Sequence, residues 1–283
     1  MVDMDIKTDK TSDFIIETFT SHFSDASTTF LAGVFAKIQD LFEGRYPGYQ
    51  ESDTAYHDFA HTCRAAVTVS RILDGHIKSG KTPDLVRRDF ELAIAATLLH
   101  DSGFIKKSHD AAGTGGKYTL THVKRSEEFA ATFLPEFDVS AEEIRLIQLM
   151  IDCTGVAVNV EYLPFNNDRD RFFGWVLGTG DILGQMAAPD YPESLYGLYQ
   201  EFAEAAAYSN ANGSWIEDYS SAEDLMKKTR NFYEGYVQWM LQTQWGGVHE
   251  SLAHHFGNGK NPYLERIEVN IEDIEQRVRT AEN

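Results

Sequence analysis

The run Leu92-Ala-Ile-Ala-Ala-Thr-Leu-Leu-His100-Asp101 ends an apolar stretch on two ionisable residues. A fold that buries the stretch must give that pair opposite charge, hydrogen bonds or a metal ion, because unpaired ionised groups are excluded from protein interiors. Candidate partners lie far away in sequence. Upstream stands Tyr56-His57-Asp58-Phe59-Ala60-His61, and downstream Asp181 sits inside Gly178-Thr-Gly-Asp181-Ile-Leu-Gly-Gln-Met186. Neutral imidazoles with carboxylates suit divalent first-row metals and magnesium. If these residues serve as one another's partners, the chain brings three distant apolar segments onto one polar point.

Those segments read as helices. Phe30, Leu31, Val34, Phe35, Ile38 and Phe42 recur at helical spacing after a cap at Ser27 or Thr28, with Gly44 as the stop. The next helix begins near His57 or Asp58 and ends by Gly80; Thr82-Pro83-Asp84 opens the helix that ends at the His-Asp pair. A glycine-bearing loop leads to helices over 121–134 and 140–153, the second opened by a capping box, Ser140-Ala-Glu-Glu143. Residues 155–167 read as a loop and about 169–188 as a helix holding Asp181, with further helices near 193–210, 221–245 and 262–281. Ser220-Ser-Ala-Glu223 reads as a second capping box. No segment sustains the two-residue alternation of a strand. The fold class is all-α.

Composition narrows the function. A 42% hydrophobic share supports a sizeable core, and a net charge of -19 argues against a nucleic-acid polymer as partner. A small phosphorylated substrate stays compatible, since a bound cation reverses the local field. Cys63 and Cys153 are too few for a disulfide framework and read as reduced packing residues. No apolar stretch approaches the ~20 residues that span a bilayer, and the acidic N-terminus is unlike a signal peptide. The expectation is a cytoplasmic protein with no membrane partner; homo-oligomerisation stays open.

His57 and His61 are four apart, so on a helix both project from one face. The spacing is that of zinc-protease histidines, but the glutamate of that motif is missing. His100 and Asp101 lie ~100° apart on a helix and reach one ion only near its end, for which Gly103 is a suitable stop. Asp101 at a helix C-terminus opposes the dipole unless a cation sits against it. Asp181, surrounded in sequence by Phe172, Trp175, Val176 and Ile182, needs a partner too. The glycines beside it make sense where neighbouring helices approach closely.

The ordered set His…His-Asp…Asp, over about residues 30–190, resembles the HD-domain superfamily of metal-dependent phosphohydrolases. The resemblance implies a helical bundle over 12–283 after a flexible tail at 1–11, with the metal core at about 30–190 and added helices at about 191–283. It implies that His61, His100, Asp101 and Asp181 ligate a divalent ion (Mg, Mn, Fe, Ni or Zn). The Tyr-His-x-x-x-His form is similar to cyclic-nucleotide phosphodiesterases, where the first histidine protonates the leaving oxygen; that role falls on His57. Asp101 would orient the nucleophile or bridge a second ion. Two departures stand out: Asp58 replaces an asparagine, and Ser102–Lys107 holds no histidine. A bacterial-type relative carries its second histidine on the next helix, where this chain has His122. His122 could serve a second metal; Lys106, Lys107, Lys124 and Arg125 could contact phosphate oxygens. His249, His254 and His255 read as surface or core residues.

The implied activity is hydrolysis of a phosphoester, of a nucleotide or another small phosphorylated compound, by metal-activated water. Two other readings stay open: an HD-fold diiron oxygenase, and a non-catalytic metal-binding scaffold or sensor.

Overall fold

A computed structural model describes residues 5–81, 83–156, 158–209, 214–257 and 259–281. Its order is α1 (Thr11–His22), α2 (Thr29–Phe42), α3 (Phe59–Ser79), α4 (Arg87–Leu99), α5 (His122–Phe133), α6 (Ala141–Asp152), α7 (Asp168–Met186), α8 (Tyr191–Tyr208), α9 (Ala222–Phe232), α10 (Ser251–Phe256) and α11 (Pro262–Ala281). Among the described residues the only β pairing is two isolated bridges, Glu43 with Glu51 and Tyr49 with Lys107. The all-α expectation holds.

The centre of the bundle is α3, which packs on α1, α4, α7 and α10. Its length is buried from Val67 to His76, so the surrounding helices cover it on every side. Its contacts with α10 and α7 are both close: a Cβ on Gly75 would lie 1.9 Å from the Ser251 carbonyl oxygen. A Cβ on Gly180 would lie 2.3 Å from Val69 Cγ2, so only glycine admits this approach. The close approach that the glycines around Asp181 led us to expect is real. From α4, Phe90 to Leu99 is buried throughout, and α2 and α6 cover it.

Several boundaries differ from the sequence reading, each for a local reason. The expected tail is shorter: Thr8–Lys10 forms a 3-10 turn and Thr11 is fully buried, while residues 1–4 lie outside the described residues. The fourth helix starts at Arg87, not at Pro83, because the Asp89 carboxylate accepts the Val86 N–H and fixes the first turn there; Thr82 lies outside the described residues. The later capping box shifts by one, with Ser221 as the cap and Asp224 accepting from the Ser220 N–H. The stretch expected as one helix over 221–245 leaves α geometry in two π turns, Tyr233–Val237 and Met240–Gln244. The box at Ser140–Glu143 is as expected. Both cysteines are buried free thiols.

A second polar cluster ties the ends of the chain to the centre. Asp74 of α3 receives His22 Nε2 at 2.7 Å, His255 Nδ1 at 2.5 Å and Lys78 Nζ at 2.7 Å. Neither histidine carried a signal in the sequence. Burial opposes the Asp74 charge, but the three donors outweigh it and hold the carboxyl below the usual range.

Another buttress joins α4 to α6. Arg88 grips Glu143 with two nitrogens, at 2.6 and 3.2 Å, and with Ser140 holds its carboxyl down to about 2 against an ordinary 4.5. A depressed carboxylate adds stability above its unfolded pKa and loses it as pH falls through the folded value. Glu143→Gln should thus be less stable than the parent near neutral pH, with the gap closing as pH falls from about 4.5 to about 2. Urea melts across that range check it; a constant gap would contradict it.

Candidate metal centre and cavity

His61 lies in the first turn of α3, and the helix begins where it does because the Asp58 side chain accepts the His61 N–H at 2.8 Å. Asp58 is therefore the cap, and His57 precedes the helix. The argument that His57 and His61 share a helical face does not hold; their rings still approach, with centroids 5.3 Å apart. At the end of α4 the chain turns at His100 and enters a 3-10 turn, Ser102–Phe104, that starts from Asp101. That turn lets adjacent residues aim at one point.

Four atoms converge. His61 Nε2 is 3.2 Å from Asp101 Oδ2 and 3.1 Å from Asp181 Oδ1; His100 Nε2 is 3.1 and 3.5 Å from the same two oxygens. Despite these distances, His61 Nε2, His100 Nε2 and Asp101 Oδ2 are buried without a well-formed hydrogen bond. Ligands ~2.0–2.2 Å from one ion sit roughly 2.8–3.6 Å from each other in tetrahedral or octahedral geometry. The donor set and its spacing fit a divalent ion, and His61, His100 and Asp101 form a cluster able to hold one. His100 Nδ1 faces the Thr97 carbonyl at 2.6 Å, which leaves Nε2 to point inward.

The electrostatics match. Burial disfavours charge on His61, but the Asp101 and Asp181 carboxylates override it and raise its pKa to about 9. The same acids lift His100 against burial, and the histidines in turn hold both carboxyls low. The histidines and carboxylates thus favour opposite charge on one another, a balance that a divalent ion would supply instead.

His122 opens α5, with Nδ1 on the Thr119 carbonyl at 2.8 Å and Nε2 3.8 Å from Asp101 Oδ1. Burial pushes its pKa down to about 4, so the ring is neutral at ordinary pH. Phe104 stacks on both His57 and His122, with centroids 4.4 and 4.3 Å away.

Two contributors escaped the sequence reading. Glu201 of α8 is 2% exposed and accepts the Tyr56 N–H at 2.6 Å, the His57 N–H at 3.1 Å and His57 Nδ1 at 2.5 Å. Gln185 lies between Tyr56, whose hydroxyl it accepts at 2.7 Å, and Asp181 Oδ1 at 3.5 Å. Glu201 is 144 residues from His57, and no local pattern announces it.

The basic residues are not brought to the site. Lys106 Nζ pairs with Asp53 at 2.6 Å and the Gly113 carbonyl at 2.7 Å; Arg125 bonds the Gly103 and Ile105 carbonyls; Lys124 pairs with Glu127. They fasten loops and helix surfaces, because buried carbonyls and acids compete for their donors. None lines the cavity of about 260 Å³ that opens beside the centre, whose walls include His57, Asp101, His122 and Asp181.

Gly103 was expected as a helix stop. Its φ is not positive, and its role is contact: a Cβ there would sit 2.0 Å from the His122 carbonyl oxygen. Ser126 Oγ clamps the same turn, accepting from Gly103 N–H at 2.9 Å and donating to the His100 carbonyl. Gly103→Ala should lower Tm by roughly 2–10 °C, from an overpacking penalty of about 1–3 kcal/mol. An unchanged Tm in a thermal melt would contradict the contact.

No curated protein matches the chain. Among solved structures, one described as LmjPDEB1 in complex with IBMX superposes with a TM-score of 0.56 at 11% identity, covering 98% of this chain and 88% of that one. The likeness is one of fold, to an all-helical phosphodiesterase. The pattern of one family, described as Npun_R2479-like, matches residues 46–251, which takes in every residue of the centre, and the chain belongs to that family.

Proposed function

We propose that the protein is a divalent-metal-dependent hydrolase of a small phosphoester. The observation that carries this reading is the combination of converging ligand atoms that lack hydrogen bonds, a cluster that reaches the cavity through Asp101 and Asp181, with a separate lining histidine, His57, fixed by its own carboxylate. A structural ion needs only the first.

His61, His100, Asp101 and Asp181 would hold the ion. A divalent ion there supplies Lewis acidity, drawing charge from the phosphoryl oxygens and activating water. The remaining work falls to the chain. Glu201 accepts from His57 Nδ1, which leaves Nε2 to pass a proton to the departing ester oxygen. Phe104 covers one face of the His57 ring and limits its rotation. Tyr56 and Gln185 keep the Asp181 carboxylate turned inward. His122, whose Nε2 lies 3.8 Å from Asp101 Oδ1, would help hold a second divalent ion, which would add further Lewis acidity at the same site. The oxygenase reading draws on the same contact, but His122 is the only further histidine beside His57 among the described lining residues.

If His57 is the proton donor, His57→Ala should keep the parent's metal content while turnover of alkyl phosphoesters falls by ~10²–10⁴-fold. Nitrophenyl esters should lose less, because nitrophenolate leaves without a proton. His61→Ala should lose metal and activity together. Metal analysis with kinetics on both ester types is the check; loss of metal from His57→Ala would remove the proton-donor role.

A further inference from the structure

Resting on the hydrolase reading above, we infer that the phosphoester is a monoester of an apolar alcohol: a single phosphoryl group bearing a hydrocarbon chain, not a nucleotide or a polyphosphate. The cavity meets the metal centre at Asp101 and Asp181, beside His57 and His122. Much of the remaining lining comes from α8, α9 and the segment that follows, with Leu195, Leu198, Phe202, Phe232 and Tyr236 among it.

Charge is the first argument. A second phosphate or a carboxylate on the ligand needs a cation of its own, since burying it unpaired is prohibitive. Among the described residues Lys228 is the only lysine or arginine in the lining, and its Nζ is spent on the Asp218 carbonyl at 2.5 Å and the Asp224 carboxylate at 2.9 Å. The chain as a whole, at -19, repels further negative charge. One phosphoryl group at the metal is what the site can neutralise.

Hydrogen bonding is the second. A base or sugar is read by side chains held ready for it, and discrimination rests on polar groups left unpaired without it. Here the lining hydroxyls of Thr119, Thr154 and Thr229 give their hydrogens to the carbonyls of Gly116, Ile151 and Leu225, at 2.7, 2.8 and 3.0 Å. Tyr236 donates to the Val156 carbonyl at 3.2 Å, and the Gln185 amide is held between Tyr56 and Asp181. These donors serve the fold; away from the metal centre, the one buried polar atom of the described lining side chains without a partner is Trp245 Nε1, a single donor and too little to read the several polar edges of a base and sugar.

Backbone geometry is the third. The two π turns lie within Tyr233–Gln244, between Phe232 and Trp245, both of which line the cavity. Each π turn carries one more residue than an α turn, a local cost found mostly at functional sites. Tyr236, a lining residue, lies in the first of them.

The test is calorimetric titration of the full chain, loaded with manganese, with ethyl-, butyl-, hexyl- and octylphosphonate, which bind without being cleaved. Affinity should rise by about three- to four-fold per methylene until the cavity is full. Adenosine monophosphate and diphosphate should bind no more tightly than ethylphosphonate. Leu198→Asn and Phe232→Ser, both at half-buried positions, should each weaken octylphosphonate by about ten-fold relative to ethylphosphonate. A flat chain-length series, or a nucleotide that outcompetes octylphosphonate, overturns the inference. Turnover of ethyl and octyl phosphate, measured in parallel, separates it from the reading beneath. Chain-length-dependent binding with no cleavage of any ester supports the ligand class and removes the hydrolase; cleavage with no chain-length preference does the reverse.

Discussion

Two imidazoles and two carboxylates meet in the interior with their inward atoms 3.1–3.5 Å apart, and much else in the structure serves to make that meeting affordable. Separately, each group would be an uncompensated polar atom among helices packed by leucine, alanine and phenylalanine. Together they neutralise each other, and with an ion they form a coordination shell. The constraint explains why α3 and α7 approach as closely as Gly180 allows, why α4 stops at Leu99, and why the turn after it is clamped by Ser126 and crowded against α5 at Gly103.

The centre was legible in sequence because its members are chemically conspicuous. An acid in an apolar run, such as Asp181, or a His-Asp pair closing one, such as His100-Asp101, contradicts its surroundings and asks for a partner. The helices were legible for a related reason, since an apolar face repeating every three or four residues leaves few alternatives. What failed to show were contacts whose two halves each look ordinary. Glu201 sits in Tyr199-Gln-Glu201-Phe-Ala-Glu204 like any surface acid, and only the packing of α8 against residues 55–57 turns it toward His57. Lys106 and Arg125 erred the other way: basic residues near a suspected phosphate site invite that role, yet here carbonyls and Asp53 take their donors.

Single residues also misled where a short-range bond outweighed periodicity. The helix reads as opening at His57 or Asp58, but the Asp58 carboxylate caps its first turn, and the extended backbone there leaves His57 outside the helix. That placement suits a proton donor better than a helical one, because the ring is oriented by Glu201 and Phe104 and not by the ligands' own helix. At the far end of α3, His22 and His255 give no sequence signal because their common partner, Asp74, is 52 and 181 residues away.

One helix carries more of the chemistry than its plain sequence suggests. α8 sets His57 through Glu201, holds the Thr114 turn through Glu204, and supplies Leu195, Leu198 and Phe202 to the cavity wall. Glu201 and Phe202 are neighbours on one rigid rod, so whatever leans on the apolar side of that rod also leans on the lever that aims the proton. On the proposed hydrolase reading, recognition of the ligand's carbon frame and timing of the bond cleavage would become a single mechanical event. A molecule of the wrong shape would then be penalised in how fast it reacts as well as in how tightly it sits.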